Sequence, residues 1–111
     1  MWRPRAVRSV HRAMLPTYEV SRVRLEVGAR DRVLAERPRV VEAVRERVPG
    51  LLDATLVELS DGTFLDVLRW ESDDAASAAA SVYAALPEWD ALQADVAELL
   101  DYHRGTVALP A

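Results

Sequence analysis

Two strand-like runs on either side of a tight-turn dipeptide constrain the fold of this chain more than any other feature. The runs are LLDATLVELS and TFLDVLRWES, and Asp61-Gly62 lies between them. A glycine after an aspartate readily adopts the positive φ angle that a tight hairpin turn requires. The two runs are therefore predicted to pair as antiparallel strands of one sheet.

A further strand and a helix are predicted before this hairpin. The segment YEVSRVRLEV, residues 18–27, alternates between apolar and polar residues in two successive phases, which is typical of a strand. Asp31 is predicted to cap the helix that follows. Pro38 predicts a kink or a short first segment in this helix, and Pro49-Gly50 predicts its end. The inner face of the helix is predicted to consist of apolar residues at helical spacing: Val33, Leu34, Val40, Val41, Val44 and Val48.

Helical patterns dominate the sequence after the hairpin. Ser72 predicts the start of a helix, because Asp73 and Asp74 follow it in the first turn, where the helix dipole favours negative charge. This Ala-rich helix is predicted to extend to Leu86, and Pro87 then separates it from another helix. The closing segment DYHRGTVAL is short and β-prone, which predicts a fourth strand. The inner face of the helix after Pro87 is predicted to consist of Trp89, Leu92, Val96, Leu99 and Leu100.

The order of these elements, β-α-β-β-α-(α)-β, predicts an α+β fold of the ferredoxin-like βαββαβ type, with a four-stranded antiparallel sheet and helices on one face. A chain of 111 residues suits one domain. Residues 1–16 are predicted to form a flexible basic N-terminal arm, since the chain has four arginines and no carboxylate before Glu19. The alternative hypothesis is that the arm contacts nucleic acid or lipid. Residues 17–109 are predicted to form the folded domain.

The strand pattern also predicts a partner subunit. Leu65 and Val67 point away from Phe64 and its neighbours on the same strand, so both faces of the sheet carry apolar residues. Helices on one side cover only one face, and soluble monomers rarely expose a contiguous apolar patch. The chain is therefore predicted to be a homodimer that associates through the sheet face.

Composition excludes several kinds of chemistry. The sequence has no cysteine and two histidines, which argues against disulfides, thiolate metal sites and any metal centre within one chain. No glycine-rich loop indicates phosphate or dinucleotide binding. The residues after the arm are acidic overall and the strands carry aliphatic side chains, which argues against binding to nucleic acid. No apolar run is long enough to span a membrane. We therefore predict a cytoplasmic protein without cofactors, metals, nucleic acid or membrane partners.

The segments VPGLLDATLVEL, DGTFLDVLRWES and HRGTV resemble the antibiotic biosynthesis monooxygenase-like (ABM) family of the dimeric α+β barrel superfamily, over about Tyr18 to Val107. The resemblance implies a cofactor-independent oxygenase that converts a phenolic or anthrone-like intermediate to a quinone. In such enzymes the substrate itself supplies electrons to dioxygen, so no metal or flavin is needed. Haem degradation, found among related barrels, is disfavoured because the chain has no Asn and no His between His11 and His103.

The resemblance also implies a catalytic group. Trp70 matches a tryptophan that lies in the family's cavity, whereas Asp66 and Ala76 replace the family's Asn and Tyr. Asp66 is expected to act as a general base or hydrogen-bond partner, with Arg22 of the first strand stabilising the phenolate and Trp70 stacking on the ring or donating its N–H. The alternative is a buried ion pair between Asp66 and Arg22 or Arg24, with Trp70 filling the core.

Further residues are candidates for substrate binding. Tyr83 and Trp89 flank the Pro87 break and are expected to cover the cavity, although aromatic residues at helical spacing are also typical of a core. Other candidates are Phe64, Arg24 and His103, the last as a proton shuttle if it rather than Tyr102 faces inward. Two functions remain open: an oxygenase acting on a small aromatic molecule, and a non-catalytic barrel that binds a small hydrophobic ligand or serves as an interaction module.

Overall fold

Four strands and three helices follow one another in the predicted order. The computed structural model describes residues 15–108, so the predicted arm lies outside the described residues up to residue 14, as do residues 109–111. The strands are β1 (Thr17–Leu25), β2 (Leu51–Glu58), β3 (Phe64–Trp70) and β4 (Val96–Thr106). The helices are α1 (Arg30–Arg47), α2 (Asp73–Tyr83) and α3 (Pro87–Gln93).

The strands form one antiparallel sheet in the order β2-β3-β1-β4, which confirms the predicted α+β, ferredoxin-like class. All three helices lie on one face of this sheet, which we call the inner face, and the other is the open face. The core lies between them and includes Trp70, Leu51, Val44 and Ala79, all at most 3% exposed. Within residues 15–108, no helix has the length and apolar composition needed to cross a bilayer.

The predicted hairpin turn is confirmed. Residues 59–63 connect β2 to β3, and Gly62 has a φ angle of +86°. The Asp61 carboxylate accepts hydrogen bonds from the backbone N–H of Thr63 at 3.0 Å and from its hydroxyl at 2.6 Å. This local bonding fixes the turn and thereby the register of the two strands.

The start of α2 packs closely against the end of α1. Ser72 caps α2 as predicted, since its hydroxyl accepts a 3.1 Å hydrogen bond from the backbone N–H of Ala75. Gly50 follows α1 at a point where a Cβ atom would lie 2.7 Å from the Cβ of Ala75. Gly50 therefore permits an approach that no larger residue would permit without a shift of the backbone.

Two predictions for α1 are wrong. The residue before its first turn is Ala29, which makes no side-chain cap, and Asp31 lies within the first turn instead. The alternative of a short first segment is also wrong, since Pro38 lies inside a single helix of 18 residues. Pro38 is exposed, while Val40 and Val44 beyond it are buried, so packing of this face stabilises the helix despite the lost backbone donor.

The helix predicted after Pro87 is shorter than expected, and the last strand is longer. Val96, Leu99 and Leu100 belong to β4, where Val96 pairs with Leu25 and Leu99 with Val23 of β1. The register between the two strands shifts twice along this stretch. Each extra residue of a bulge moves the side-chain alternation by one position. Between Val96 and Tyr102, inward-facing residues of β4 therefore recur every three positions, a spacing that imitates a helix.

The open face of the sheet carries an apolar patch. We call this patch the open-face patch; it consists of Tyr18, Val20, Val57, Leu65 and Val67. Val23 and Leu25 face the helices, and Val27 lies beyond β1 and is fully exposed. Ion pairs border the patch on two sides: Arg22 with Asp61 and Asp101, and Arg69 with Asp53.

Candidate functional site

A cavity of about 360 Å³ lies between the inner face of the sheet and the three helices. Ligand pockets for small molecules commonly have volumes of about 300–1,000 Å³. Aliphatic side chains provide most of its wall, including Val33, Val40 and Val44 of α1 and Leu68 of β3. The fold therefore leaves a space large enough for a small aromatic molecule rather than a filled core.

The inner face of β1 changes from polar to apolar along the strand. Glu19 and Ser21 line one part of the cavity, and Val23 and Leu25 line another. The pairing of β1 with β3 is continuous over Thr17 to Val23, so the two phases seen in the sequence do not reflect a bulge between these strands. They mark the boundary between the polar and the apolar part of the cavity.

Glu19 is the centre of a partly buried hydrogen-bond network at the polar part of the cavity. The residue is 8% exposed, and its Oε1 atom accepts a 2.7 Å hydrogen bond from the indole N–H of Trp70. Its Oε2 atom accepts hydrogen bonds from the Tyr102 hydroxyl and, at 3.4 Å, from the guanidinium of Arg104. A buried carboxylate is tolerated when it is paired with a cation and fully hydrogen-bonded, as it is here.

Arg104 and Tyr102 are held by further contacts. Arg104 also donates to Ser77 of α2 at 2.9 Å and lies 3.4 Å from the Asp73 carboxylate, so it connects β4 to α2. Burial raises the pKa of the Tyr102 hydroxyl, and its hydrogen bond to the Glu19 carboxylate adds to the effect. Tyr102 therefore stays a neutral hydrogen-bond donor at physiological pH.

Asp66 and Arg37 form a second polar group in the cavity wall. One guanidinium nitrogen of Arg37 on α1 donates to Oδ1 of Asp66 on β3 at 2.5 Å. The side chain of Arg37 is 11% exposed and that of Asp66 is 29% exposed, and both line the cavity. Within residues 15–108, the second carboxylate oxygen of Asp66 accepts no hydrogen bond. The acid is thus paired but retains an oxygen that can accept a proton.

Tyr83 and Trp89 stack on each other across the break between α2 and α3. Their ring centroids are 4.3 Å apart with an angle of 14° between the planes, and both rings line the cavity. Burial raises the pKa of the Tyr83 hydroxyl, and the negative charges of Glu19 and Asp66 raise it further. Tyr83 therefore remains protonated and can donate a hydrogen bond to a ligand.

Four of the predicted site residues line the cavity, and four do not. Those that line it are Asp66, Phe64, Tyr83 and Trp89. Trp70 points to the inner face as expected, but it is fully buried beside the cavity rather than part of its wall. Its N–H is used by Glu19. In this structure Trp70 fills the core, as in the alternative that the sequence left open, and its N–H is not free for a ligand.

Arg22, Arg24 and His103 lie on the open face. Arg22 pairs with Asp61 and Asp101, and Arg24 pairs with Glu98. His103 is exposed and lies opposite Val20 of β1, whereas Tyr102 faces inward. Because side chains alternate along a strand and Ser21 and Val23 face the cavity, their neighbours on β1 face away. The predicted pairing of Asp66 with Arg22 or Arg24 is wrong, since the helix residue Arg37 takes that place.

Three residues that line the cavity, Glu19, Arg37 and Arg104, were not among the site residues predicted from the sequence. The sequence pattern could have identified Glu19, since Thr17, Glu19 and Ser21 form a polar alternation at the start of a strand. No pattern identifies Arg37, because it is one of several arginines on a mostly polar helix. Arg104 follows Tyr102 by two residues in the closing strand, so the same inward register that selects Tyr102 also selects Arg104.

Among the described residues, no group of three or more His, Asp or Glu side chains is arranged to hold a metal ion. The fold and the cavity together define a class of protein: a ferredoxin-like α+β domain with an apolar pocket that contains two acids, each paired with an arginine.

Comparison with known proteins finds similarity in three-dimensional structure but not in sequence. The sequence matches no protein-family model and no curated protein. An ABM family protein from Bordetella bronchiseptica has a TM-score of 0.70 at 18% identity, over 86% of this chain and 99% of that chain. SnoaB, a cofactor-independent oxygenase from Streptomyces nogalater, has a TM-score of 0.64 at 22% identity, over 87% and 95%. A heme-degrading protein from Mycobacterium tuberculosis has a TM-score of 0.60 at 20% identity, over 87% and 99%.

These similarities establish the fold of the chain. It has the fold of the antibiotic biosynthesis monooxygenase proteins, as the sequence resemblance indicated. The alignments cover nearly the whole length of each solved structure, so the shared part is a complete domain of that fold.

Proposed function

We propose that the chain is a cofactor-independent monooxygenase that oxidises a phenolic or anthrone-like aromatic metabolite to a quinone with dioxygen. One observation carries the proposal: the wall of an apolar cavity of about 360 Å³ contains the Asp66 carboxylate and the neutral hydroxyl of Tyr83. The second oxygen of that carboxylate accepts no hydrogen bond from the described residues. The fold shared with SnoaB, a cofactor-independent oxygenase, supports it.

The proposed reaction needs no bound redox group. A ring methylene between two aromatic rings reacts with dioxygen to give a ring carbonyl and one molecule of water, so that one oxygen atom enters the product and both hydrogens leave in the water. Removal of a proton from the substrate produces an electron-rich phenolate or enolate, which supplies the electrons to dioxygen. The protein has to bind the ring, accept the proton and stabilise the oxyanion.

The cavity residues fit these three tasks. The apolar wall formed by Val40, Val44 and Phe64 binds the planar ring. Asp66 accepts the proton on the carboxylate oxygen that is free in the structure. Tyr83 donates its hydroxyl hydrogen to the developing oxyanion, because its raised pKa keeps it protonated.

Oxygen consumption with a panel of hydroquinones and anthrones tests this proposal. Asp66→Asn keeps the shape of the side chain and removes the base, so it is expected to lower kcat/KM by about a hundredfold or more. Asp53→Asn is the matched control, since Asp53 is an exposed acid on β2 that pairs with Arg69 away from the cavity. Equal rates for wild type and Asp66→Asn would remove Asp66 from the mechanism.

A second function is a non-catalytic barrel that holds a small hydrophobic ligand. The pairing of both cavity acids favours it, because Glu19 and Asp66 already have arginine partners without a substrate. A barrel of this kind would bind an apolar fluorescent dye competitively with aromatic ligands, yet consume no oxygen with any member of the panel. Oxygen consumption that depends on Asp66 would decide for the enzyme.

The open-face patch is proposed to join two copies of the chain. Val20 and Val67 lie opposite each other at its centre, with Leu65 and Val57 beside them. Both arginines and aspartates border the patch, so its edge carries both signs of charge and is suited to meet a second copy of itself. Association would bury the patch and leave the cavity, on the opposite face of the sheet, unobstructed.

A further inference from the structure

We infer that Arg37 binds the ionised oxygen of the substrate, exchanging its ion pair with Asp66 for one with the substrate, and so selects aromatic molecules that have an acidic hydroxyl. This inference rests on the proposed function of the same cavity and adds to it the side chain that recognises the hydroxyl group of the substrate.

Arg37 has unused capacity to donate hydrogen bonds in the cavity. A guanidinium group has five N–H donors in a planar fork, and a single nitrogen of Arg37 contacts Asp66. The side chain is 11% exposed and lines the cavity, so little bulk water reaches it. A charge in such a place interacts more strongly with an anion than it would at the surface.

Arg104, the other arginine in the cavity wall, is less suited to this task. It contacts the Glu19 and Asp73 carboxylates and the Ser77 hydroxyl, so its charge and donors are shared among several protein groups. The Glu19 carboxylate, in turn, already accepts hydrogen bonds from three side chains of the protein. Of the two arginine–acid pairs, the pair of Arg37 and Asp66 is therefore the one that a ligand can rearrange.

Conservation of charge explains why an acid and an arginine are paired at this position. Before proton transfer, the pair consists of the Asp66 carboxylate and the Arg37 guanidinium. When the hydroxyl proton of the substrate moves to Asp66, the O–H bond breaks, Asp66 becomes neutral and the new phenolate takes its place beside Arg37. The number of charges in the cavity does not change, so the step avoids the cost of creating a new charge in a low-dielectric site.

The surroundings of Asp66 limit the substrate further. Leu56 of β2 and Ser21 of β1 lie on either side of Asp66 across the sheet, and Phe64 lies along the strand. The wall beyond them is aliphatic, with Val23, Leu25 and Val96. A matching ligand is therefore a planar aromatic molecule with an acidic hydroxyl at one end and an apolar ring system at the other. Its O-methyl ether lacks the proton and the anion, and is expected to bind without this contribution.

Titration of bound 2-hydroxyanthraquinone tests the inference directly. This compound is already a quinone, so it cannot undergo the proposed oxidation, and its visible spectrum distinguishes the neutral from the ionised hydroxyl. Bound to the wild type, its pKa is expected to fall by about one unit or more below that of the free compound, since a cation at contact distance favours the anion. One unit corresponds to about tenfold tighter binding of the ionised form than of the neutral form.

Substitutions of Arg37 and of Asp66 are expected to shift the pKa of the bound compound in opposite directions. Arg37→Gln leaves Asp66 without its cation, so the pKa of the bound compound is expected to return to the free value or rise above it. Asp66→Asn leaves Arg37 without its anion, so the pKa is expected to fall at least as far as in the wild type. Arg37→Lys is expected to retain a lowered pKa, and Arg39→Gln, on an exposed position of α1, is the control and should match the wild type.

Each failure has a distinct result. An unchanged pKa in the wild-type complex, equal shifts in wild type and Arg37→Gln, or the absence of binding would overturn the inference. If Arg37→Gln does not fold by circular dichroism, Asp66→Asn decides, because a raised pKa in that variant contradicts the role of Arg37. A lowered pKa without oxygen consumption would instead retain the inference and refute the oxygenase. Oxygen consumption without a shift would do the reverse.

Discussion

The indole N–H of Trp70 on β3 donates a 2.7 Å hydrogen bond to the carboxylate of Glu19 on β1. Trp70 is 0% exposed and Glu19 is 8% exposed, so this bond lies almost entirely out of water. The same carboxylate accepts hydrogen bonds from Tyr102 and Arg104, which line the cavity. Trp70 thus acts as a positioning residue: it fixes the acid that fixes two side chains of the pocket.

Glu19→Gln is expected to lower the free energy of unfolding by about 2 kcal/mol. Gln has the shape of Glu but no charge, and its amide nitrogen cannot accept the hydrogen bonds that one carboxylate oxygen accepts. The loss is moderated because the Arg104 side chain is 28% exposed and regains hydration. Urea unfolding followed by circular dichroism measures the change.

The matched control for this variant is Glu98→Gln. Glu98 forms an ion pair with Arg24 on the open face, and its side chain is 57% exposed. Exposed pairs contribute little, so this change is expected to alter stability by less than about 1 kcal/mol. Equal effects of the two substitutions would mean that the Glu19 network does not stabilise the fold more than a surface pair does.

Tyr83→Phe is expected to lower kcat/KM for the proposed oxidation by about tenfold to a hundredfold, since one donor to the oxyanion is lost. Phe retains the ring, so the stack on Trp89 and the volume of the cavity are preserved. Steady-state oxygen consumption measures the effect. Tyr18→Phe removes a hydroxyl from the open face and is expected to leave the rate unchanged. An undiminished rate in Tyr83→Phe would assign the oxyanion to other donors.

The fold was predictable because its strongest signals are local. Asp61-Gly62 fixes the hairpin through bonds to Thr63, and Ser72 caps α2 through a bond three residues away. The error at β4 has the opposite origin. Val96, Leu99 and Tyr102 all face the cavity because two bulges against β1 change the alternation. Their spacing along the chain is indistinguishable from that of a helix face until the pairing partner is known.

The site was predictable where the position of a residue along its strand, or beside a helix break, fixes its direction. Asp66 shares a strand face with Trp70, which the family resemblance assigned to the cavity, and Asp66 lines the cavity. Its partner Arg37 is distant in sequence and lies on a helix rich in arginine, so no spacing relates the two. Arg22 was favoured because it lies on a strand that pairs with β3, but the alternation of β1 directs it to the open face.

Stability at low pH is expected to depend on Asp95. The residue is 7% exposed, and hydrogen bonds from Arg32 at 2.6 and 2.9 Å hold the pKa of its carboxyl below the usual value. A carboxyl whose pKa is lower in the folded than in the unfolded state contributes stability above the unfolded pKa, about 3.9 for Asp. This contribution is lost as the pH falls through the folded pKa.

Asp95→Asn is therefore expected to be less stable than the wild type at neutral pH, with a difference that shrinks as the pH falls below about 4. Thermal unfolding between neutral pH and pH about 3 measures the two curves. Asp31→Asn, at an exposed carboxylate of the same helix as Arg32, is the control and is expected to lie close to the wild type throughout. If the thermal stability of wild type and Asp95→Asn fell in parallel with pH, the ion pair of Asp95 with Arg32 would not be responsible for the loss of stability at low pH.

Val67→Asp tests the proposed association through the open-face patch. Val67 lies opposite Val20 at the centre of that patch, so an aspartate there would bring a charge into the apolar contact with the second copy. The wild type is expected to sediment as a dimer, and the substitution is expected to raise the dimer dissociation constant at least about a hundredfold, equal to about 2.7 kcal/mol.

Leu34→Asp separates this effect from a general effect of added charge. Leu34 lies on α1, is 39% exposed and is therefore on the opposite side of the molecule from the patch. It is expected to leave the dimer intact, because its new charge stays in water. A monomeric wild type, or equal dissociation of the two variants, would refute association through the sheet. The cavity would be unaffected by that result, since it lies between the inner face and the helices of a single chain.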